Sequence, residues 1–520
     1  MGRHAIAAVG IAWRALALGG CGASGAPAPV DPGPELQIVG EATVIRSGDP
    51  LPARSPWFDG TTVRLAAARG ETLGIQVVRR SGAPPVPVTL ALVASGVRVR
   101  AFEVKPVHVT RPSTDMYGGS RGAGDYPDTL VAADAPASAP AYFEITLAPF
   151  AKAGVVTGEL VVGARHVPVR LEVSTAVMPP LPVESVWAYE DPRELGWAGL
   201  PPSALAQPSD SERACITMFR GYGVLLSPDL PIDAWPARSQ LLVGAPDIPA
   251  VISDDPARVG DEVRAWIEAT RGTGQVAFAI PIDEPRDPAA RARVRVLADA
   301  VHAAHGGSRR FRYAVTAAPS ADLLGRVDLY IAAGAAHLEG DTVQRWTYNG
   351  RPPEAGAMVV DAAEPGLRTW GWIAWRYQIP TWYVWDALYW HDRHNRKGAA
   401  LPGRALDVTR DAASFDDGED HGNLDGVLAL PGDATTPCRP TLRLAALRRG
   451  LEDRALLDAA FACDPDATKA LAAKLIPRAL GDAHGAAASP PAWPTSDFAF
   501  EDARRDALLL AAACTNRLPR

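Results

Sequence analysis

The spacing of apolar positions divides the chain into two regions. In the first region, short runs such as Ala141–Leu147 and Val167–Val173 alternate apolar with polar residues and are separated by Gly, Pro and Asp. This alternation is typical of strands with one buried face, and it predicts a β-sandwich over residues 36–178. The proline-rich segment Pro179–Pro182 then marks a stiff linker and a domain boundary.

The second region repeats an apolar strand followed by a helix. The eight predicted strands are Val186–Tyr189, Gly223–Leu226, Ala250–Ile252, Val276–Ile282, Phe311–Val315, Val327–Ile331, Ala357–Val360 and Trp382–Trp385. Helical periodicity separates several of them, as at Pro288–His305, so the pattern predicts an α/β fold with a (β/α)8 barrel over residues 183–460. An open doubly wound sheet is disfavoured because no Gly-rich loop follows the first strand. Residues 461–520 are predicted to form a C-terminal helical tail packed on the barrel.

The N-terminus has the character of an export leader. Arg3 and His4 precede an apolar stretch, and Leu18–Cys21 resembles the lipobox of bacterial lipoproteins. We therefore expect a signal peptide over residues 1–21, a lipid on Cys21 and a flexible tether over residues 22–35. The expected location is the cell envelope, on its periplasmic or cell-surface face, with the lipid as membrane anchor. An uncleaved anchor or a misassigned start codon is the alternative.

Composition narrows the possible partners. Hydrophobic residues make up 47% of the 520 positions and charged residues 21%, as in globular proteins. The net charge is −7, and Lys and Arg form no block, so nucleic acid is a poor partner. The four cysteines after Cys21 allow three disulfide pairings, which the sequence leaves open. No Cys/His spacing indicates zinc, so we expect neither a metal nor a cofactor.

Two adjacent acids, Asp283 and Glu284, follow the fourth predicted strand. Barrel enzymes place catalytic groups at the C-terminal ends of their strands. Pro285 biases Glu284 to an extended backbone, which would end the strand at this pair. The alternative is that the acids only open the following helix.

Paired carboxylates are the groups that glycosidic bond cleavage needs. In most glycosidases the two acids lie on different strands, about 5 to 9 Å apart across the sugar, which adjacent residues cannot achieve. Neighbouring acids fit the substrate-assisted exception, in which a 2-acetamido oxygen attacks the anomeric carbon while one carboxylate orients the amide and the other is the acid.

Aromatic residues supply candidate sugar contacts. Seven of the 14 tryptophans fall between Trp346 and Trp390, and aromatic faces complement the C–H faces of sugars. The candidate substrate-binding residues at or after strand ends are Trp385, Asp386, Tyr389, Trp390, Asp361 and Glu190. Core packing is the alternative for the aromatic residues, and a cap or loop role for Glu190 and Asp361. His391, Asp392 and His394 are interpreted as loop residues rather than as a metal site.

In order, these features resemble the catalytic domain of glycoside hydrolase family 123 with its preceding β-sandwich. The motifs that carry the resemblance are Gly124–Asp128, Glu144–Leu147, Ala153–Gly154, Thr157–Leu160, Asp283–Pro285, Gly371–Tyr377, Tyr389–Trp390, Asp425–Leu428, Pro431–Gly432, Arg443 and Arg448–Asp453. The resemblance implies a retaining exo-acting N-acetyl-β-galactosaminidase that uses substrate assistance. It assigns acetamido stabilisation to Asp283 and the general acid/base role to Glu284.

Three functions are therefore compatible with these residues. The preferred hypothesis is a retaining exo-glycosidase acting on terminal 2-acetamido sugars. The alternative from another class is a carbohydrate-binding lipoprotein without catalysis. A two-carboxylate glycosidase is the third, with Asp386 or Asp361 as the second acid.

Overall fold

The structure is a computed structural model that describes residues 34–133, 136–334, 343–392, 404–405, 408, 411–481 and 493–515. From Pro34 onward the chain forms one compact unit. The predicted signal peptide, Cys21 and the tether up to residue 33 lie outside the described residues. None of the helices within these ranges combines the length and apolar character needed to cross a bilayer.

The N-terminal region is a sandwich of two sheets. Its strands are β1 (Leu36–Val39), β2 (Val63–Arg69), β3 (Thr72–Arg79), β4 (Pro87–Leu92), β5 (Val97–Val109), β6 (Gly124–Ala132), β7 (Ala137–Ser138), β8 (Ala141–Leu147), β9 (Gly154–Val162) and β10 (Arg165–Val177). The sheet orders are β1-β3-β8-β5-β6 and β2-β10-β9-β4-β7. Neighbouring strands are antiparallel except for β2 and β10. In β10 the buried Val167, Val169, Leu171 and Val173 alternate with exposed residues, so every second side chain enters the core.

The second region contains a parallel eight-stranded barrel. Its strands are β11 (Val186–Tyr189), β12 (Val224–Ser227), β13 (Asp247–Pro249), β14 (Val276–Ala279), β15 (Phe311–Val315), β16 (Leu329–Ala332), β17 (Arg345–Tyr348) and β18 (Trp382–Val384). They follow one another in chain order around the barrel. A single parallel bridge, Leu230 with Ala250, spans the gap between β12 and β13. The predicted barrel with a preceding sandwich is therefore confirmed.

Helices and hairpins surround the barrel. The helices in the described ranges are α1 (Arg193–Trp197), α2 (Asp210–Gly221), α3 (Trp235–Arg238), α4 (Val259–Ala269), α5 (Pro288–His305), α6 (Thr369–Arg376), α7 (Leu442–Cys463), α8 (Pro465–Leu475) and α9 (Asp497–Thr515). The hairpin strands are β19 (His391–Asp392) with β20 (Arg404–Ala405), β21 (Ala413–Asp416) with β22 (His421–Asn423), and β23 (Ala429–Pro431) with β24 (Cys438–Pro440).

Two predicted barrel strands are misplaced. The seventh strand is Arg345–Tyr348 and not Ala357–Val360, and the third is Asp247–Pro249 and not Ala250–Ile252. The true seventh strand has polar residues at several positions, so it lacks the continuous apolar run that the prediction relied on. Ala357–Val360 is apolar because it is buried irregular chain, with Ala357 and Val359 packed near Tyr117 of the sandwich.

Aromatic side chains fill the barrel interior. The rings of Trp187 and Tyr383 stack with centroids 4.8 Å apart, and Phe278 meets Trp187 and Trp346 edge to face at 5.7 and 4.9 Å. These four residues come from β11, β14, β17 and β18. The barrel is therefore a packed core rather than a pore, and open space is left only at its ends.

The sandwich and the barrel share a buried, charged interface. From α7, Arg448 contacts Glu144 at 2.7 Å and Arg449 contacts Glu71 at 2.6 Å; from α9, Arg504 contacts Glu71 at 2.9 Å. The C-terminal helix α9 contacts α7 and also β2 and β10 of the sandwich. Buried arginines need carboxylate partners, and the sandwich supplies them.

Close helix packing and two disulfides complete the fold. A Cβ at Gly371 of α6 would lie 1.7 Å from the carbonyl oxygen of Gly450 in α7, so this helix crossing requires glycine. Of the three pairings left open, the structure has Cys215–Cys438 and Cys463–Cys514. The first joins α2 to β24, and the second joins α7 to α9.

Candidate active site

A cleft of about 900 Å³ opens at the C-terminal ends of the barrel strands. The strand ends and the loops after them contribute Tyr189, Asp229, Asp283, Glu284, Thr316, Gly334, Tyr348, Asn349, Tyr383 and Trp385 to its lining. This volume lies in the upper part of the range for small-molecule sites, roughly 300 to 1,000 Å³. The aromatic core of the barrel closes the space below it.

Asp283 and Glu284 both line this cleft, directly beyond β14. Thr316, which follows β15, connects them: its hydroxyl donates to Asp283 Oδ1 and accepts the backbone N–H of Glu284 at 2.6 Å. The Arg286 guanidinium pairs with Glu284 Oε2. Thr316 thus holds the Asp283 carboxylate and the Glu284 backbone together, while Arg286 holds the Glu284 carboxylate.

The backbone at Glu284 explains how adjacent acids reach the same space. Its φ is 40°, in the left-handed region, whereas the sequence led us to expect an extended residue before Pro285. Successive residues of an extended strand point to opposite faces, so a turn at this point is needed to bring both carboxylates to the cleft. Non-glycine residues seldom adopt this conformation, and such departures cluster at functional sites.

The structure does not support the alternative in which Asp283 and Glu284 only open the following helix. Helix α5 begins at Pro288, and its N-cap is Asp287, whose carboxylate accepts the N–H of Ala290 at 2.8 Å. Asp283 and Glu284 precede this cap and face the cleft instead.

A third carboxylate, Asp229, enters the cleft from the loop after β12. Asp229 is exposed at the surface of the cleft. Partial desolvation by the walls of the cleft, together with the nearby charge of Asp283, raises the pKa of Asp229 to about 6. Asp229 was not among the predicted site residues, although its place three residues after a predicted strand is a reason to include it.

Two tyrosines and an asparagine provide hydrogen-bonding groups. Burial and the charges of Asp283 and Glu284 raise the pKa of Tyr348, and burial with the charge of Asp229 raises that of Tyr383. Both phenols therefore stay protonated and keep an O–H donor. The Asn349 side chain holds the end of β18 in place, because its Oδ1 accepts the N–H of Trp385 at 3.3 Å. The misplaced seventh strand is the reason why the sequence analysis missed Tyr348 and Asn349.

The sandwich supplies one wall of the cleft through Met116 and Tyr117. The Tyr117 hydroxyl donates to Asp425 Oδ2 at 2.7 Å, and Trp385 Nε1 donates to Asp425 Oδ1 at 3.2 Å. Burial raises the pKa of Asp425, while these two donors lower it. Asp425 therefore links Tyr117 of the sandwich to the indole of Trp385, which also lines the cleft.

Of the predicted substrate-binding residues, Trp385 lines the cleft and three of its neighbours lie beneath the surface. Tyr389 packs under Trp385 with ring centroids 4.9 Å apart, and Trp390 Nε1 donates to the carbonyl of Ala429 at 2.9 Å. Asp386 is buried and accepts the N–H of Leu388 at 2.9 Å. The structure places these three in the core because the chain turns inward after Trp385.

Asp361 and Glu190 are also placed in the interior. Asp361 accepts the N–H of Ser113 at 2.8 Å and its hydroxyl at 2.7 Å, which attaches the barrel to the sandwich. Glu190 is fully buried, and burial followed by the neighbouring Glu212 raises its pKa well above the ordinary value. Neither residue lines the cleft.

Comparison with solved structures gives an extensive match to a glycoside hydrolase. A family 123 glycoside hydrolase from Clostridium perfringens, described for the hydrolysis of glycolipid glycans, superimposes with a TM-score of 0.61 over 93% of this chain and 98% of that chain, at 12% identity. The fold is that of a family 123 glycoside hydrolase. It agrees with the resemblance of the sequence motifs.

Other comparisons add less. A family 2 glycoside hydrolase from Bacteroides cellulosilyticus aligns over 65% of this chain and 47% of that chain with a TM-score of 0.25 and 11% identity, which is too low to indicate a common fold. No protein-family profile and no curated protein sequence matches the chain. The similarity to the family 123 structure thus establishes the fold, whereas the residues that line the cleft determine its chemistry.

Proposed function

We propose that this protein is a retaining exo-glycosidase that removes terminal 2-acetamido sugars by substrate-assisted catalysis. The observation that carries the proposal is the pair Asp283 and Glu284, adjacent in the chain and facing one cleft at the catalytic end of a barrel. The family 123 fold supports it, because the Clostridium perfringens protein of that fold hydrolyses glycolipid glycans.

The proposed reaction uses one acid for each task. The acetamido carbonyl oxygen attacks the anomeric carbon as Glu284 protonates the leaving oxygen, and the bond to the leaving group breaks. Asp283, oriented by Thr316, accepts the amide N–H and stabilises the positive charge of the ring formed. Water then attacks the anomeric carbon, Glu284 takes its proton, and the amide is restored. Two inversions give net retention.

Chromogenic β-GalNAc, β-GlcNAc and β-galactose glycosides test this proposal. We expect turnover only of the acetamido sugars and inhibition by a thiazoline mimic. Glu284→Gln and Asp283→Asn should each lower kcat/KM by about 10² to 10⁴. Asp254→Asn is the matched control, because this exposed acid pairs with Arg293 outside the cleft lining and should keep normal activity. Binding of glycans without any turnover would contradict the proposal and favour the carbohydrate-binding alternative.

A two-carboxylate mechanism has one specific observation in its favour, namely Asp229. This acid reaches the cleft from a different strand than Glu284, as such enzymes require. It replaces Asp386 and Asp361, which are buried, as the candidate second acid. Turnover of plain galactosides, with complete loss in Asp229→Asn but not in Asp283→Asn, would select this mechanism over substrate assistance.

We also propose that the protein is exported and anchored by a lipid on Cys21. Two disulfides within the described residues support an oxidising compartment, since such bonds are rare in the cytosol. Metabolic labelling with a palmitate analogue should mark the wild type and not Cys21→Ser. Equal labelling of both would contradict the anchor.

A further inference from the structure

A second group of ligating side chains lies at the other end of the barrel. His302 and His305 occupy the last turn of α5, and Asp328 directly precedes β16. Helices after barrel strands return to the N-terminal ends of the next strands, so this group is opposite to the cleft that holds Asp283 and Glu284. Any role it has is independent of the proposed glycosidase.

The three side chains converge on one point. One ligating atom of each lies within 4.8 Å of those of the other two. His302 Nε2 is already 3.1 Å from Asp328 Oδ1. In a tetrahedral zinc site with metal–ligand distances near 2.1 Å, the ligand atoms are about 3.4 Å apart. The separation of the His302 and Asp328 ligand atoms is therefore already close to that in such a site.

The backbone around the group supports the carboxylate. Asp328 Oδ2 accepts the N–H of Tyr313 at 2.8 Å, and the N–H of Asp328 donates to the carbonyl of Tyr313 at 2.9 Å. Such outer contacts fix the direction of a metal-binding carboxylate. His305 Nδ1 accepts the N–H of Gly307 at 3.1 Å, a contact that a metal would exchange for its own bond. Gly306 and Gly307, which follow His305 directly, both have positive φ.

The charges at this place also suit a cation. The histidines lie at the C-terminal end of an 18-residue helix, where the helix dipole is negative. Asp299 and Asp328 add negative charge, and Arg326 is paired with Asp299. Solvent can reach the group, because the side chains of His302 and Asp328 are 29% and 31% exposed.

We propose that His302, His305 and Asp328 bind a divalent transition metal of the zinc class and thereby connect α5 to the start of β16. Two imidazoles and one carboxylate are ligands that zinc favours, and water would complete four-coordination. Spacing along the chain did not reveal this site, because Asp328 is 23 residues after His305 and only the fold brings them together.

Zinc titration of the metal-free, full-length protein tests the site. We expect the wild type to bind one equivalent more tightly than His302→Gln, with at least a tenfold difference in Kd, and zinc to raise the Tm of the wild type but not that of His302→Gln. Glutamine keeps a donor toward Asp328 but is a poor zinc ligand, so folding should be preserved. His108→Gln is the matched control, because His108 also pairs with a carboxylate, Asp125 at 2.7 Å, and should bind zinc like the wild type.

Tetrahedral cobalt absorption provides a second readout that does not depend on enzymatic activity. We expect it in the wild type and in His108→Gln, and we expect it to be lost in His302→Gln and in His305→Gln. Equal zinc affinity and equal cobalt spectra in all four proteins would overturn the site, whatever the glycosidase assays show.

Discussion

Among single residues, Asp229 gives the most specific prediction for the pH dependence of kcat/KM. Its pKa of about 6 means that the carboxylate becomes charged as the pH rises through that value. Negative charge next to Asp283 should stabilise the positive charge that develops during glycoside cleavage, so kcat/KM should rise through pH 6. Asp229→Asn should lose this rise while remaining folded. A wild-type profile without an inflection near pH 6, or an unchanged profile in the variant, would contradict the assignment.

Tyr117 allows a test of the sandwich-derived wall. Tyr117→Phe removes the donor to buried Asp425, which should lower the free energy of unfolding by about 1 to 3 kcal/mol. Because Asp425 also holds Trp385, we expect KM to rise more than kcat falls. Tyr126→Phe is the matched control: it removes a hydroxyl that donates to the Gly122 carbonyl outside the cleft lining, so KM should not change. Urea unfolding and steady-state kinetics measure both effects.

The sequence predicts a site residue correctly when the residues next to it in the chain already indicate its role. Asp283 and Glu284 adjoin in the chain and follow a clear apolar strand, and the structure places both in the cleft. Tyr117 and Asp425 form part of the cleft only through contacts between distant segments, which the pattern along the chain does not reveal. Asp386 and Tyr389 were predicted wrongly to contact substrate. Their place after a strand suggested exposure, but the chain turns inward and buries both.

Among the elements, α9 depends on a buried ion network. Arg504 lies between Glu501 and Glu71, with all three side chains almost fully buried. Arg504→Leu leaves uncompensated carboxylates in the interior, so the free energy of unfolding should fall by about 3 to 5 kcal/mol. Arg264→Leu breaks an exposed pair with Asp261 and should cost less than about 1 kcal/mol. Similar denaturation midpoints for the two variants would contradict this account.

The elements also show where periodicity succeeds and where it fails. Helix α5 matches its predicted bounds at both ends, because Asp287 and Pro288 mark its start and Gly306 its end. Strand β17 was missed because two of its four residues, Arg345 and Thr347, are polar and interrupt the apolar run. Ala357–Val360 was mistaken for a strand because burial between sandwich and barrel produces the same apolar run.

For the whole molecule, the two disulfides should contribute unequally to stability. Cys215–Cys438 spans 223 residues and Cys463–Cys514 spans 51. Loop entropy predicts that replacing the longer bridge by two serines costs about 1 kcal/mol more than the same change in the shorter one. Guanidinium denaturation of the two double variants measures this difference. A larger loss from the shorter bridge would contradict the entropic argument.

The barrel should open most easily at the boundary between β12 and β13, which we call the β12–β13 joint. Two described hydrogen bonds span it, from the N–H of Leu230 to the carbonyl of Pro249 at 3.1 Å and from the N–H of Val251 to the carbonyl of Leu230 at 2.8 Å. Amide protons at these positions should exchange with deuterium ahead of those in the other barrel joints. Asp229 is the chain neighbour of Leu230, so opening at this joint would also displace a carboxylate that lines the cleft. A compound that binds in the joint would therefore lower activity without entering the cleft.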